Sequence, residues 1–367
     1  MDFRLTPVDF AQLPGWAEDD PSVLSGPMAR CLKQIRDVKP YKTGRFGLQA
    51  SELADLFSAA ATADFSTAIA ARTFFERHCR PFRVQPVGAE HGFVTAFYEP
   101  EVEVDSTPSA EFAYPFYARP ADLIDIDDSN RPEGFDPTYA FGRSTPNGIE
   151  PYPDRKAIEQ GFLVGRGLEI AWARSRVDLF FAQVQGAARL TYPDGSMKRI
   201  TYAAKTGHPF TGIGRRLVEM GEIPLESISM QAIRDWLAHH PERADEIIWQ
   251  NQSYIFFREA EVDDPALGPI AAAKVALEPM RSIAVDRLIH TFGSLFYIDS
   301  PSLKQLSNGN SFRRLMIALD TGSAIIGPAR ADIFTGSGAL AGDLASAVRN
   351  AADFYILIPR SAAERYI

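Results

Sequence analysis

Only two cysteines, Cys31 and Cys79, occur in this 367-residue chain, too few for a disulfide framework and without the spacing of a zinc site. From sequence, one bond between them and two buried free thiols stay equally open. The six histidines are scattered, and the adjacent pair His239-His240 precedes Pro241 and reads as a helix end. No metal and no cofactor is therefore expected. No apolar run approaches the ~18 residues of a membrane-spanning helix. Met1-Asp2-Phe3-Arg4-Leu5 lacks the apolar core of a signal peptide, so the signal segment is expected to be missing from this chain. There is no basic block, and the formal net charge is -9, which argues against a nucleic-acid partner. G-x-S-x-G elbows, Walker loops and dinucleotide fingerprints are absent, and Gly161 to Gly167 has neither the spacing nor the Lys of a phosphate loop. His78 and Cys79 are sequence neighbours in a helical pattern and point to different faces, which excludes a paired cysteine nucleophile.

What is present is apolar content of 46% in a length that suggests two domains. Residues 1–85 read mainly helical: Pro27 to Val38, a stripe through Leu53, Leu56 and Phe57, and Phe65 to Cys79 with Asp64 as N-cap. From Phe93 the period changes to two. Residues 120–155 are loop-rich, and the acidic run Asp125 to Asp128 reads as a solvated loop. Leu179 to Lys205 reads as a hairpin turning at Tyr192-Pro193-Asp194-Gly195. One face of it carries Phe180, Ala182 and Val184; the other carries Gln183, Gln185, Arg189 and Lys205, suited to sugar hydroxyls or simply solvated. Helices follow, through Ile213 and Leu217, then from an N-cap at Ser229 to a stop at Pro241. Short strands return at Tyr254–Phe257, Leu295–Ile298, Arg313–Leu319 and Phe354–Ile358.

The most informative stretch is Ile317-Ala318-Leu319-Asp320-Thr321-Gly322-Ser323, with Arg330-Ala331-Asp332-Ile333-Phe334-Thr335-Gly336 close behind it. An apolar strand delivers Asp320 into a Gly/Ser turn, and Asp332 lies twelve positions on among apolar neighbours that disfavour ionisation. Two such carboxyls suit acid catalysis of glycosidic cleavage, and they equally suit the capping of turns between strands. Ser282-Ile283-Ala284-Val285-Asp286 ends another β-type run in aspartate.

These three aspartates resemble the three-aspartate (3D) domain, and the text around them is similar to the membrane-bound lytic murein transglycosylase A (MltA) family. The likeness runs through Val94-Thr95-Ala96-Phe97-Tyr98-Glu99-Pro100, Tyr114-Pro115-Phe116-Tyr117, Gln183-Val184-Gln185-Gly186, Lys205-Thr206-Gly207-His208, Ser229-Met230-Gln231-Ala232-Ile233 and Asn251-Gln252-Ser253-Tyr254-Ile255-Phe256-Phe257. It covers roughly residues 90–360 in order and is weaker over 1–85. It departs where the family has Pro-Pro-Gly or Pro-Leu-Gly and this chain has Thr291-Phe292-Gly293.

The resemblance implies a mainly β protein with peripheral helices. A discontinuous double-psi β-barrel would be built from 1–100 and 249–367, with an inserted β-rich glycan-binding domain at 101–248 and a groove between them. It implies a peptidoglycan lytic transglycosylase, a carbon-oxygen lyase that cleaves the β-1,4 bond between N-acetylmuramic acid and N-acetylglucosamine and leaves 1,6-anhydromuramoyl ends. A hydrolytic glycosidase on the same barrel and a non-catalytic peptidoglycan-binding module are the alternatives. By the same resemblance Asp332 is the acid/base and Asp320 its catalytic companion. Thr95, Phe97, Tyr98, Gln183, Gln185, Lys205 and Tyr254 bind glycan, although core packing is an equal reading for Phe97. Asp286, Gly322 and Gly336 are structural. Expected partners are peptidoglycan glycan strands and other cell-wall enzymes, met by a monomer in the periplasm, attached to the outer membrane.

Overall fold

Alternation of side chains along short apolar strands needs a sheet with two covered faces, and here one sheet closes on itself. The structure is a computed structural model and describes residues 3–260, 262 and 264–367. Contacts divide the chain into two units, Met1–Tyr98 with Val262–Ile367, and Glu99–Glu261.

The first unit contains six barrel strands: β1 (Gly92–Glu99), β2 (Ser282–Val285), β3 (Leu295–Ser300), β4 (Phe312–Asp320), β5 (Arg330–Ser337) and β6 (Arg349–Pro359). Their order is β6-β3-β4-β2-β5-β1, and the β6–β1 pairing closes the ring. β2 and β4 run parallel, a pairing that needs a crossover and is met by the antiparallel β3 between them in sequence. β6 is long enough to pair twice. Arg349–Ala352 meet β1, while Phe354–Pro359 meet a further strand, Cys79–Pro86, which in turn pairs with Phe3–Pro7. The closed barrel with peripheral helices agrees with the expected fold class.

The N-terminal region is less purely helical than its pattern suggests, because those two strands lie within it. Its helices are Ser25–Lys33, continued by a wider turn over Gln34–Val38, then Ala50–Ala60 and Ala68–His78. The last is capped by Thr67, not Asp64. Cys31 and Cys79 are buried free thiols, and burial pushes both up to about 12, so they behave as small apolar groups. The N-terminal segment is fastened to the barrel by polar contacts. The buried Asp19 carboxylate accepts from Arg281 at 2.8 and 3.1 Å and from the Leu315 amide at 2.8 Å. Thr291, where the chain departs from the family turn, is also buried; its hydroxyl donates to the Leu48 carbonyl at 2.6 Å and accepts from the Gly44 amide.

The second unit holds a six-stranded sheet in the order Ile255–Glu259, Met197–Lys205, Ala187–Thr191, Glu101–Asp105, Glu169–Ala173, Tyr114–Tyr117. A bridge between Ala118 and Phe257 links its outer strands. A small three-stranded sheet, Leu123–Asp125, Phe141–Thr145 and Gly148–Glu150, lies inside the stretch read as loop. Because Ile255–Glu259 pairs with Met197–Lys205, this unit keeps the chain to about residue 261, beyond the 248 at which the sequence places the return.

One element differs in kind from its reading. Arg176–Gln185 is an α-helix: the Ser175 hydroxyl accepts from the Asp178 amide, and Gly186 ends it with φ 78°. Only the second half of the expected hairpin is a hairpin, Ala187–Thr191 against Met197–Lys205. The separation of Gln183 and Gln185 onto a polar strand face therefore does not exist.

Candidate active site

Strand β5 alternates in burial over its first four residues. Ala331 and Ile333 are fully buried in the barrel core, so Arg330 and Asp332 share the opposite face, two residues apart. Of the apolar neighbours expected to disfavour ionisation of Asp332, Ala331 and Ile333 lie on the other face of the strand. β2 lies between β4 and β5, and Ala284 is opposite Asp320 on one side and Asp332 on the other. Parallel and antiparallel pairing around one short strand thus brings together two carboxyls from separate turns of sequence.

Both carboxyls are deep but not sealed, and each is pushed upward chiefly by burial. Asp320 rises to about 6. Hydrogen bonds from the Thr321 and Ala272 amides pull it down, the charge of Asp332 pushes it up, and Lys274 pulls it down. The Ala272 amide reaches Oδ1 at 3.1 Å. Asp332 is raised against the opposing pull of Thr95, whose hydroxyl donates to its Oδ1, and of the Arg330 charge. Arg330 in turn donates to Thr95 Oγ1 at 2.7 Å and lies over the Phe93 ring. Asp332 is thus a buried carboxyl raised above the ordinary aspartate range, with one oxygen held by a hydroxyl, which suits a general acid.

Asp286 stands apart from this pair in its bonding. Its Oδ1 accepts from the Leu288 amide at 3.0 Å and its Oδ2 from the Gly327 amide at 2.9 Å, so it ties the turn after β2 to the segment leading into β5. His290 nearby is buried and lowered to about 4; its Nε2 bonds the Pro328 carbonyl at 2.8 Å. Gly336 has φ 124°, a backbone state that favours glycine, and Gly322 does not share it. A Cβ at Gly322 would meet Ile325 Cγ1 at 3.1 Å instead.

The residues expected to bind glycan separate sharply. Thr95 is at the centre of the carboxyl site. Phe97 and Tyr98 are core: Phe97 packs on Phe334 with ring centroids 5.3 Å apart, and the Tyr98 ring fills the space a Cβ would take at Gly342. Gln183 and Tyr254 are buried around Arg155, a residue the sequence reading passed over. This arginine is 1% exposed. It donates to Gln183 Oε1 at 2.6 Å, to the Asn251 and Ser253 carbonyls and to Glu159, between the Phe180 and Tyr254 rings. A buried guanidinium demands that many acceptors, so Gln183 serves the core and not a ligand. Gln185 and Lys205 are half-buried, at the end of the helix and on the strand Met197–Lys205. Among the described residues no cluster of His, Cys, Asp and Glu could hold a metal ion.

Comparison with known proteins bears on this geometry. Residues 93–258 match the family described as the MltA specific insert domain, and residues 281–358 match the 3D domain. Membrane-bound lytic murein transglycosylase A of Escherichia coli is 33% identical over 253 residues, 68% of this chain and 60% of that protein. The matched segment therefore spans about three fifths of that curated relative. The crystal structure of a membrane-bound lytic murein transglycosylase from Agrobacterium tumefaciens superposes with a TM-score of 0.95 at 58% identity, covering 99% of this chain and all of the other. Escherichia coli MltA with bound chitohexaose gives a TM-score of 0.69 at 25% identity, covering 98% and 95% of the two chains.

Proposed function

The chain belongs to the membrane-bound lytic murein transglycosylase A family, and on that premise we propose that it cleaves the β-1,4 bond between N-acetylmuramic acid and N-acetylglucosamine, leaving a 1,6-anhydromuramoyl end. Asp332 begins neutral and donates its proton to the leaving glycosidic oxygen. As carboxylate it then accepts the proton of the muramoyl C6 hydroxyl, whose oxygen closes on the anomeric carbon. One residue serves both steps because the nucleophile is already part of the substrate.

The observation that carries this reading is the unequal bonding of the two carboxyls. Asp332 is raised by burial and held by a hydroxyl, while Asp320 is occupied by the Ala272 and Thr321 amides. An inverting hydrolase needs a second carboxylate free to activate water. Asp320 bonded in this way instead supplies negative charge and holds the 271–275 turn. Glycan strands are the proposed partner, in line with the chitohexaose complex of the Escherichia coli relative. Gln185 and Lys205 remain the proposed glycan contacts of the second unit. The proposed setting is the periplasm, on the outer membrane, with the protein acting as a monomer; among the described residues no helix is long and apolar enough to cross a membrane.

Mass spectrometry of muropeptides released from purified sacculi tests the proposal. Anhydro-ended products, one water lighter than hydrolytic ones, are expected. Reducing ends only would make the protein a hydrolase, and no release at all would make it a binding module.

A further inference from the structure

Arg330 lies one face-repeat before Asp332 on β5 and reaches Thr95 on the adjacent strand β1. The three form a directed chain, Arg330 to Thr95 to Asp332. A guanidinium has donors and no acceptor, and a threonine hydroxyl has one proton and two lone pairs. Arg330 occupies one lone pair and the hydroxyl proton is directed at Asp332 Oδ1, so the second lone pair faces away from the carboxyl. A neutral Asp332 cannot then hold its own proton between Oδ1 and Thr95, because that space is filled by the hydroxyl proton. The acid proton is left on Oδ2.

We propose that Arg330 is a positioning residue for the cleavage reaction, which orients the Thr95 hydroxyl so that Asp332 presents its proton from Oδ2 to the glycosidic oxygen instead of losing it to Thr95. This rests on the transglycosylase reading of the site. Without Arg330, the Thr95 hydroxyl can turn and accept from the neutral carboxyl. The acid is then engaged in an internal hydrogen bond that must break before transfer. Nothing in this role requires Arg330 to touch the substrate, and its other contacts, the Ala331 carbonyl and the Phe93 ring, fix where the guanidinium sits. Among the described residues, the Arg330 charge on its own strand acts on Asp332, Asp320 faces it across β2, and Lys274 acts on Asp320.

The test is a double-mutant cycle of Arg330→Met and Thr95→Val, with Arg330→Lys as the variant that keeps a charged donor, measured on one soluble glycan. Arg330→Met should lower kcat by about tenfold with KM little changed, less than the ~10²–10⁴ for losing a general acid. Its kcat/KM profile should keep its basic limb to higher pH, because a cation that favoured the carboxylate is gone. Arg330→Lys should restore most of the rate. The decisive arm is the double variant: removing the misdirected hydroxyl should leave it no slower than Arg330→Met alone. Losses that multiply, or an Arg330→Met variant with wild-type kcat and an unmoved limb, would overturn the proposal. If Arg330→Met does not fold by circular dichroism, Arg330→Ala, which also removes the donor, replaces it in both arms of the cycle. The identity of the wild-type product decides the transglycosylase reading separately, so the two ideas fail in different measurements.

Discussion

Asp320 and Asp332 lie opposite the same residue, Ala284, one on each side of a four-residue strand. They approach each other through the register of β2, and through no turn that joins them in sequence. Since interaction between two ionisable groups is mutual, the charge of Asp332 that raises Asp320 implies an equal effect of Asp320 on Asp332. Burial is the larger cause for both carboxyls.

Asp332→Asn should abolish cleavage and keep the fold. The amide has nearly the same shape and still accepts from Thr95 through Oδ1, but it cannot give up and regain a proton. A loss of at least ~10² in kcat is expected, with an unchanged circular dichroism spectrum. Activity within a few-fold of wild type would pass the acid/base role to Asp320.

Asp320→Asn should move the basic limb of kcat/KM to lower pH. In the proposed mechanism Asp332 must start protonated, and an ionised Asp320 nearby would help keep it so by like charge. Removing that charge lets Asp332 ionise sooner, so activity is lost earlier as pH rises. A limb that stays in place or moves up would leave Asp320 only the holding of the Ala272 amide.

How much of this was legible in the sequence depended on where the information sat. The aspartates, the strands carrying them and the peripheral helices were readable because each is a local pattern: an apolar run, then a carboxylate, then glycine. The helix Arg176–Gln185 was misread because Phe180, Ala182 and Val184 alternate with Gln183 and Gln185 as a strand would. The better signal lay at its ends, Ser175 three residues before Asp178 and Gly186 after Gln185, the capping pair of a helix. Arg155 gave little signal: Glu159, four residues on, is its one local acceptor, and the others come from Gln183, Asn251 and Ser253, far along the chain. Arg330 was inside the quoted motif, but its value lies in Thr95, more than two hundred residues earlier.

The buried arginine gives a prediction that inverts the sequence-based assignment of Gln183. Gln183→Ala leaves a guanidinium hydrogen unsatisfied in a dry site, which costs about 1–3 kcal/mol. The melting temperature should fall by several degrees, while sacculus binding by the folded fraction stays as in wild type. Weakened binding without a change in melting temperature would return Gln183 to the glycan.

The last prediction sets Asp320 against His290. Asp320 is raised from 3.8 to about 6, so between those values the folded protein holds more protons than the unfolded chain, and its stability falls as pH rises through the window. His290 is lowered from 6.5 to about 4, so over nearly the same window the unfolded chain holds more protons, and stability falls as pH drops. The two contributions have opposite slopes and offset each other across the mildly acidic range. Removing either partner should expose the other. Asp320→Asn should make the melting temperature decline more steeply than wild type from pH 6.5 to 4, while gaining on wild type at pH 8. His290→Gln keeps a donor for the Pro328 carbonyl and cannot charge, so it should instead gain on wild type toward pH 4. Melting curves of the three proteins at pH 4, 5, 6, 7 and 8 would show the variants diverging from wild type in opposite directions. Parallel curves would mean that neither group changes its protonation on unfolding.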